Sequence, residues 1–410
     1  MGPVPFLFAM SMVAALQGAT PAPPVVGSPL PRWSPGTVEI HHIATGRGNS
    51  ALFILPDGTT LLVDAGAVPD GVPETDPHPD GTRSPGAWIA RYVRRHLPDT
   101  AAGLDYALIT HFHPDHYGWL TAEAPRAVGG TYRLTGITEV GDAIPIHVLI
   151  DRGWPDYSYP EPHTDSTFAN YRRYLEAQRR RGMTVERFRP GANDQLRLRH
   201  HPDRYPDVEF RNIVGNGELW TGTGDSTRPL FPPLASLPAA DWPNENMCSL
   251  GLRLTYGRFR YFTGGDLPGA ADPGFPAWHA MEPDVAASIG PVAVHVVDQH
   301  GSMGEESEAF LRTLASSVLI IPSWAPSHPA PDVLKRIVNS RFPPAERFVY
   351  ATDMRPSTQT VIGGRARSLA GPPGHIVVRV DPGGKRYWVV VVSDRDEGDT
   401  VLAVRGPLVP

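Results

Sequence analysis

The sequence contains a single cysteine, Cys248, among its 410 residues. One cysteine excludes a disulfide-stabilised fold and any metal site built from several thiolates. No run approaches the roughly 20 consecutive apolar residues that a transmembrane helix needs. An excess of positive charge is also missing, because 37 Lys and Arg stand against 43 Asp and Glu. The overall charge therefore does not indicate nucleic-acid binding, and the 16 histidines remain as candidates for metal chemistry.

The composition is that of a folded, loop-rich protein. Hydrophobic residues make up 41% of the chain and charged residues 20%, which excludes a highly charged disordered protein. Proline (46) and glycine (41) are frequent enough to predict long connections. At about 150 residues per domain, the length allows two to three domains or one large domain with insertions.

The N-terminus carries a candidate targeting segment. An apolar run over residues 6–16 has the length of a signal-peptide core and is too short to span a membrane. The basic residues that usually precede such a run are missing. We predict that residues 1–20 are a signal peptide and that the proline-rich stretch 21–36 is a linker. The protein is then secreted or periplasmic, with no membrane span in the mature chain.

Strands and helices alternate from residue 37 onward. Short β-rich runs cover residues 38–44, 50–55, 60–64 and 104–110, whereas residues 84–96 have the apolar spacing of an amphipathic helix. The alternation continues in the second half of the chain. This pattern predicts an α/β (α+β) protein in which sheets pack as a sandwich with helices outside.

Four potential metal ligands lie within six residues directly after a predicted strand, in the segment HFHPDH. His111 and His113 are two residues apart, so their side chains leave an extended chain on the same side. The turn at Pro114 then directs Asp115 and His116 toward a second position. Imidazoles and a carboxylate with open coordination suit a catalytic Zn²⁺ or Mn²⁺ ion. The segment therefore predicts a metal site.

This segment is the HxHxDH signature of the metallo-β-lactamase fold superfamily, which the sequence resembles over about residues 38–392. The resemblance implies a four-layer αββα sandwich with a one- or two-metal hydrolytic site at one edge. It also implies that Asp266, in the run RYFTGGDL, is the bridging carboxylate and that His300, in VVDQHGS, is the last histidine ligand. Residues 62–66 (LVDAG) look like the strand and turn that lie under the site.

Within the superfamily, three further segments resemble the extracellular hydrolase domain of DNA-uptake competence proteins, a branch that also contains phosphorylcholine esterases. They are GRGNS at residues 46–50, QHGS at residues 299–302, and Ser327-His328-Pro329. This resemblance favours a phosphoester or phosphodiester substrate. His328 is then a candidate donor to a phosphate oxygen, with capping of its loop as the alternative. Two Zn²⁺ ions are expected, with Mn²⁺ as the alternative metal.

One ligand that many members carry is missing. They have a third histidine some 20–25 residues before the bridging aspartate, whereas this window contains Asn246, 20 residues before Asp266. Two antiparallel strands joined by a tight turn occupy the interval, and such strands bring their outer ends together. We therefore predict that Asn246 lies at the metal edge. A second departure is Gln299, where the relatives have a histidine.

Several other residues are expected to be structural. Cys248 precedes a strand and should be buried and inert. His295 lies in an apolar strand and is expected to be a hydrogen-bonded core histidine. His41 and His42 are neighbours on the first strand, so one of them is expected to face outward.

The sequence thus predicts a secreted hydrolase that uses a metal-activated water, with Asp115 or Asp266 orienting that water or carrying its proton. One hydrolase domain is expected over residues 37–410, with a helical and loop insertion at about 121–206. The expected partner is a small molecule or a phosphoester. Hydrolysis of a lactam, lactone or thioester at the same site is the second interpretation. A catalytically silent metal-binding protein is the third.

Overall fold

A computed structural model describes residues 23–69, 71–72 and 75–410 of the protein. The predicted signal peptide lies outside these residues. Within the described part, the chain forms seventeen strands and eight α-helices. The strands are β1 (Val38–His42), β2 (Ala51–Ile54), β3 (Thr60–Val63), β4 (Leu104–Leu108), β5 (Ile146–Asp151), β6 (Thr184–Arg187), β7 (Val208–Gly215), β8 (Glu218–Trp220), β9 (Thr227–Pro229), β10 (Gly251–Tyr256), β11 (Phe259–Thr263), β12 (Val294–Val296), β13 (Val318–Ile321), β14 (Phe348–Ala351), β15 (His375–Val380), β16 (Tyr387–Val392) and β17 (Val401–Leu408). The helices are α1 (Pro85–His96), α2 (Pro114–Tyr117), α3 (Gly136–Ala143), α4 (Ser166–Arg179), α5 (Glu282–Ile289), α6 (Glu308–Leu314), α7 (Pro331–Val338) and α8 (Pro356–Ile362).

The strands form two mixed sheets. The first has nine strands in the order β17-β16-β15-β1-β2-β3-β4-β5-β6, and the second has eight in the order β14-β13-β12-β11-β10-β7-β8-β9. Strands β3 to β6 are parallel to one another, and so are β11 to β14. The remaining neighbours are antiparallel. Short connections join most of these pairs, as antiparallel neighbours allow.

The two sheets face each other through one apolar core. Phe53 and Val378 of the first sheet and Leu254 and Ile320 of the second belong to the same buried cluster. Helices α1, α3 and α4 pack on the outer face of the first sheet, and helices α5 to α8 on the outer face of the second. The fold is therefore the four-layer αββα sandwich that the sequence predicted.

Helix α1 shows why the local predictions hold. The Ser84 hydroxyl accepts a hydrogen bond from the Ala87 backbone N–H, and Pro85 occupies the first helical position, where it needs no N–H partner. Ile89 and Val93 lie four residues apart on the buried face. Their spacing fixes which face of the helix covers the sheet.

Residues 121–206 contribute directly to the first sheet. This segment was expected as a helical and loop insertion, yet β5 pairs parallel with β4, and β6 pairs parallel with β5. The longer helix of this segment is α4, which begins after Asp165 as its N-cap. Both strands are short, and the sequence expectation did not include them.

The proline-rich stretch expected as a linker is attached to the body in its described part. Leu30 is buried, Pro29 forms a bridge with Thr400, and the Gly27 N–H donates to the Val401 carbonyl. From about Gly27 onward this segment therefore lies along the edge strand β17.

The expectation that His41 or His42 faces outward is wrong, because both are buried. Strand β1 is central in a sheet that is covered on both faces. Cys248 and His295 are buried, as expected.

Among the described residues, no helix combines the length and apolar character needed to cross a lipid bilayer. The carboxyl ends of the parallel strands in both sheets meet at one edge of the sandwich. Asp64 directly follows β3, and His111 comes shortly after β4. Asp266 and His300 follow β11 and β12 of the other sheet. These loops build the site described next.

Candidate metal centre

Four side chains from both halves of the chain bring one donor atom each to a common point. The His116 Nε2 atom lies 3.2 Å from His300 Nε2 and 3.1 Å from Asp266 Oδ1. His300 Nε2 lies 3.0 Å from Asp115 Oδ2 and 3.6 Å from Asp266 Oδ1. The ligand atoms of a tetrahedral Zn²⁺ bound at about 2.0–2.1 Å are about 3.3 Å apart. We call Asp115, His116, Asp266 and His300 the four-donor group.

Hydrogen bonds fix which nitrogens face this point. The His116 Nδ1–H donates to Asp64 Oδ2 over 2.8 Å, and the His300 Nδ1–H donates to the Pro322 carbonyl over 2.9 Å. In the neutral imidazole, each Nε2 then carries a lone pair. With neutral rings, two lone pairs and two carboxylate oxygens face one another, and they repel unless a cation lies between them or the Nε2 atoms are protonated. The donor set therefore fits a divalent cation.

A second group shares Asp266. It consists of His111, His113 and Asp266, whose donor atoms lie within 4.8 Å of one another. The His111 Nε2 atom is 3.0 Å from His113 Nδ1 and 3.6 Å from Asp266 Oδ2. Asp266 thus presents Oδ1 to one group and Oδ2 to the other, as a bridging carboxylate would. We call this the three-donor group.

The strand ends hold these side chains in place. Asp64 follows β3, and its carboxylate accepts hydrogen bonds from the Thr110 N–H and hydroxyl, both over 2.8 Å, as well as from His116. The Asp266 N–H donates to the Ser249 hydroxyl over 3.1 Å. Asp64 and His300 both have positive φ angles, 59° and 56°. A left-handed conformation is unfavourable by about 1–2 kcal/mol for a residue other than glycine, so the surrounding contacts must hold both residues.

Glycine lets the Asp115 backbone pack closely. A Cβ atom on Gly66 would lie 1.9 Å from the Asp115 carbonyl oxygen, and one on Gly48, where φ is +136°, would lie 2.8 Å from it. That oxygen accepts a hydrogen bond from the Asn49 N–H over 2.7 Å. The segment 46–50 therefore supports the ligand loop through its backbone.

The charges of the four-donor group shift its pKa values in opposite directions. Burial lowers the pKa of His116, but the carboxylates of Asp266, Asp115 and Asp64 together raise it well above its usual value. The pKa of His300 is raised in the same way, against burial, by Asp266 and Asp115. Burial favours the neutral form of Asp266, but His116 and His300 hold its pKa well below the usual range. The group is built to hold positive charge among carboxylates.

The three-donor group has the opposite character. Burial, reinforced by the neighbouring His116 and His113, lowers the pKa of His111 well below its usual value. The His111 Nδ1–H can donate to the Thr110 hydroxyl oxygen at 3.2 Å, which leaves Nε2 with a lone pair. His111 is therefore neutral, as a ligand must be.

Glu245, the residue before Asn246, contacts the loop that carries His111 and His113. The Phe112 N–H, between the two histidine ligands, donates to Glu245 Oε1 over 2.7 Å. The same carboxylate binds the buried Arg152, whose Nε lies 2.7 Å from Oε1. The Asn246 Oδ1 atom is buried and has no hydrogen-bond partner among the described residues. An unpaired buried carbonyl oxygen is unfavourable unless another group satisfies it.

His328 and Trp324 form the wall behind His300. The ring of His328 stacks on that of His300 with centroids 4.8 Å apart and an interplanar angle of 17°. The His328 Nδ1 atom is buried without a hydrogen-bond partner in the described part of the chain. Burial and the neighbouring His300 lower the pKa of His328 to about 3, so this ring is neutral near pH 7. The Trp324 indole N–H donates to Asp115 Oδ2 over 3.1 Å.

A cavity of about 610 Å³ opens at the same edge of the sandwich. Arg152, the partner of Glu245, lines it together with Arg187 and Arg189. The rest of its wall combines apolar side chains, such as Phe188 and Phe231, with the acidic Glu218. The Arg152–Glu245 pair thus separates this cavity from the histidine loop.

The structure brings together every residue that the sequence nominated as a ligand: His111, His113, Asp115, His116, Asp266 and His300. His328 lies against this cluster. The sequence interpretation did not identify the contacts made by Glu245, Arg152 and the Trp324 indole. These contacts join residues far apart in the chain. The only local indication of them was the position of Trp324, four residues before the candidate site residue His328.

Comparison with protein families gives one match. Residues 44–132 match the model of the metallo-beta-lactamase superfamily. The matched segment includes the HFHPDH motif and Asp64. No curated protein matches the chain. The motif, the donor cluster and the sandwich agree with this family, whose site is that of a metal-dependent hydrolase in general terms.

Solved structures with similar folds share little sequence with the chain. A mutant of CmlA beta-hydroxylase is 15% identical, with a TM-score of 0.40, over 77% of this chain and 53% of its own, so the chain spans about half the length of that protein. The metallo-beta-lactamase fold protein YhfI from Bacillus subtilis is 13% identical, with a TM-score of 0.37, over 77% of this chain and 96% of its own. Unliganded yeast PDE1 is 12% identical, with a TM-score of 0.37, over 81% of this chain and 93% of its own. The similarity to the metallo-beta-lactamase superfamily is carried by the match at residues 44–132 and by the motif.

Proposed function

We propose that this chain, a member of the metallo-β-lactamase superfamily by its match at residues 44–132, is a metal-dependent hydrolase that acts on phosphoesters. One observation carries the hydrolase assignment. The four-donor group consists of acceptor atoms that face one another at 3.0–3.8 Å, and their outer nitrogens are committed to hydrogen bonds elsewhere. With both histidines neutral, such a group is satisfied by a bound cation, and its imidazole and carboxylate donors suit Zn²⁺ or Mn²⁺.

Two ions are proposed, one at each donor group, with Asp266 shared between them. A divalent ion at this position lowers the pKa of a bound water and polarises a phosphoryl oxygen. The protein holds the histidine ligands in the orientation that this chemistry requires. Asp64 and the Pro322 carbonyl hold His116 and His300 in the tautomers that leave Nε2 free.

Three side chains near the proposed metal centre are positioned to transfer or donate protons. Asp115 and Asp266 are the carboxylates nearest the reacting centre, and each can orient an attacking water or carry its proton. His328 is neutral, and its Nδ1 atom has no partner in the described part of the chain. We propose that His328 donates an N–H to a substrate oxygen beside His300.

The cavity beyond the Arg152–Glu245 pair carries mainly positive charge, although Glu218 also lines it and no residue of either donor group does. We propose that it receives the part of an anionic substrate that extends from the metal centre past this pair. Arg152, Arg187 and Arg189 line its length, and guanidinium groups bind phosphate through paired N–H donors. Arg152 and Arg189 already bind Glu245 and Asp194. Arg187 is exposed and lines the cavity between them. A phosphoester with an apolar group fits the charge and the apolar wall of this cavity.

A panel of substrates tests the proposal. Protein loaded with Zn²⁺ or Mn²⁺ should hydrolyse bis-p-nitrophenyl phosphate or another phosphodiester and should not open nitrocefin or a simple lactone. The Asp266→Asn variant, assayed in parallel, controls for contaminating phosphatases. Hydrolysis of the lactam or lactone without phosphodiester turnover would overturn the phosphoester assignment. Two bound ions without turnover of any substrate would favour a silent metal-binding protein.

Arg187 gives a second test of substrate charge. The Arg187→Gln variant should raise the KM for an anionic phosphodiester by about tenfold, in the range of one charge-assisted contact, with little change in kcat. Arg173→Gln, at an exposed position of α4, is the matched control and should leave KM unchanged. Equal KM values for both variants and the wild type would remove the cavity from the substrate site.

We further propose that residues 37–410 form one hydrolase domain. Strands β1 and β17, near the two ends of this range, belong to the same sheet. Export remains a prediction from the sequence. N-terminal sequencing of the protein recovered from a cell fractionation should find a mature start between residues 19 and 26, and an intact Met1 on cytosolic protein would contradict it.

A further inference from the structure

The loop that follows β13, residues 322–329, contacts two ligands of the four-donor group. The Pro322 carbonyl accepts the His300 Nδ1–H, and the Trp324 indole N–H donates to Asp115 Oδ2 over 3.1 Å. His300 follows β12 and Asp115 follows β4, so a single loop joins ligands that come from different sheets.

The Trp324 indole donates to the Asp115 oxygen that faces the other members of the four-donor group. Asp115 Oδ2 is the atom that lies 3.0 Å from His300 Nε2 and belongs to the four-donor group. A carboxylate can rotate about its Cβ–Cγ bond, and a donor on one oxygen fixes that rotation. A hydrogen bond to a charged acceptor is stronger than one between neutral groups.

Trp324 is itself held in place on several sides. The Arg355 guanidinium donates to its carbonyl over 3.2 Å, and the Thr352 hydroxyl donates to the Ser323 carbonyl over 2.9 Å. The indole ring meets the rings of His328 and His300 edge-on, with centroid distances of 5.3 and 6.2 Å. The donor is therefore oriented before any ion binds.

We propose that Trp324 is a positioning residue that holds Asp115 Oδ2 in its metal-binding orientation. This inference rests on the proposed metal centre and is independent of the substrate class. Groups that hold a ligand from outside typically change metal affinity or activity by about 10–100-fold. The effect should fall on the four-donor group, because Trp324 contacts no member of the three-donor group among the described residues.

The test is metal binding by the Trp324→Phe variant, which keeps an aromatic ring and removes the N–H. Zn²⁺ titrated against a chelator, together with the absorption spectrum of the Co²⁺-loaded protein, should show one ion bound about 10–100-fold more weakly than in the wild type and the other unchanged. Activity should recover largely at saturating metal. Trp388→Phe is the matched control, because its indole donates to Asp381 at 3.3 Å far from the site. It should leave both affinities unchanged.

Unchanged affinity of both ions in Trp324→Phe, or equal loss at both positions, would overturn the proposal. Trp324→His supplies a second measurement, because it keeps a ring N–H and should bind the weakened ion more tightly than Trp324→Phe does. Equal affinities in the Phe and His variants would also overturn it. Metal binding is measured without substrate, so a protein that binds two ions and hydrolyses no phosphoester would refute the proposed function without deciding this one.

Discussion

The two donor groups share Asp266 but are supported very differently. In the four-donor group, every ligand has a contact behind it: Asp64 for His116, Pro322 for His300, Trp324 for Asp115 and Ser249 for the Asp266 backbone. In the three-donor group, the His111 ring contacts Thr110, whereas the His113 ring has no hydrogen-bond partner other than His111 among the described residues.

This difference predicts that the two groups differ in metal affinity and in the number of open coordination positions. Contacts from outside orient a ligand and reduce the entropy lost when the ion binds. The four-donor group is therefore expected to bind its ion first and more tightly. The three-donor group lacks a fourth protein ligand among His, Asp, Glu and Cys in the described part of the chain, so an ion held there keeps open coordination positions, as catalytic sites do.

The largest expected effect comes from the residue that the two groups share. Asp266→Asn keeps the shape of the side chain and removes its charge, so both ions should be lost and turnover should fall by more than ~100-fold, beyond the usual effect of an outer contact. Mass spectrometry measures the number of bound ions, and an assay with excess metal measures the fall in turnover. Asp272→Asn, at an exposed position in the loop that follows, is the control. Retention of two ions would break the assignment of Asp266 as the bridge.

The second-largest effect distinguishes substitutions in the four-donor group from substitutions in the three-donor group. His116→Ala or Asp115→Ala removes a ligand of the four-donor group that no neighbour can replace, and turnover should be abolished. His113→Ala should remove only the second ion and leave one equivalent bound. Metal stoichiometry after gel filtration distinguishes the two outcomes. More than about a tenth of the wild-type rate in His116→Ala would contradict its assignment as a ligand, because even outer contacts are worth about 10–100-fold.

A smaller effect is expected where the three-donor group is incomplete. Asn246 Oδ1 is buried without a partner in the described residues, and we propose that it faces the ion there. An amide oxygen is a poorer Zn²⁺ ligand than an imidazole. Asn246→His should therefore tighten the weaker Zn²⁺ site by about tenfold, of the order seen for changes around a metal. Asn246→Ala should make activity depend on added metal.

Chelator competition measures these affinities. Asn193→His, at an exposed position, controls for a non-specific effect of an added imidazole. If neither Asn246 variant changes metal content or rate, the side chain does not face the ion.

The smallest effect concerns histidines that are buried but belong to neither donor group. Burial lowers the pKa of His42, with a further contribution from His41, to about 3, and burial lowers the pKa of His375 to about 3 against the opposing charge of Asp394. Below about pH 6.5, the ordinary histidine value, the unfolded chain takes up protons that these buried rings cannot. Stability should therefore fall as the pH drops from about 6.5 toward 3.

Urea unfolding between pH 7 and pH 4.5 measures this slope, which is at most about 1.4 kcal/mol per pH unit for each histidine. His42→Gln should make the slope shallower. His147→Gln, at an exposed position of β5, should leave it unchanged. An identical slope in both variants would mean that His42 is not neutral in the folded protein.

The family resemblance implied the four-layer arrangement and the roles of Asp266 and His300, whereas the α/β class and the HFHPDH segment were predicted from local properties of the sequence. Strand alternation and the spacing of His111 and His113 are local properties, so they can be read without knowledge of the fold. His41 and His42 show where local rules fail: alternation alone cannot tell that β1 is central in a sheet covered on both faces. The donation from Trp324 to Asp115 joins positions 209 residues apart, and no local pattern encodes such a contact.

The donors come from both halves of the chain, and this has a consequence for synthesis. The segment that contains His116 and Asp115 emerges from the ribosome long before His300 does. Until residues 300–324 have been made, no nascent chain carries the complete four-donor group or the tryptophan behind it. A complete four-donor group therefore requires both sheets of the sandwich, so an ion that binds all four donors would bind after the sheets have docked.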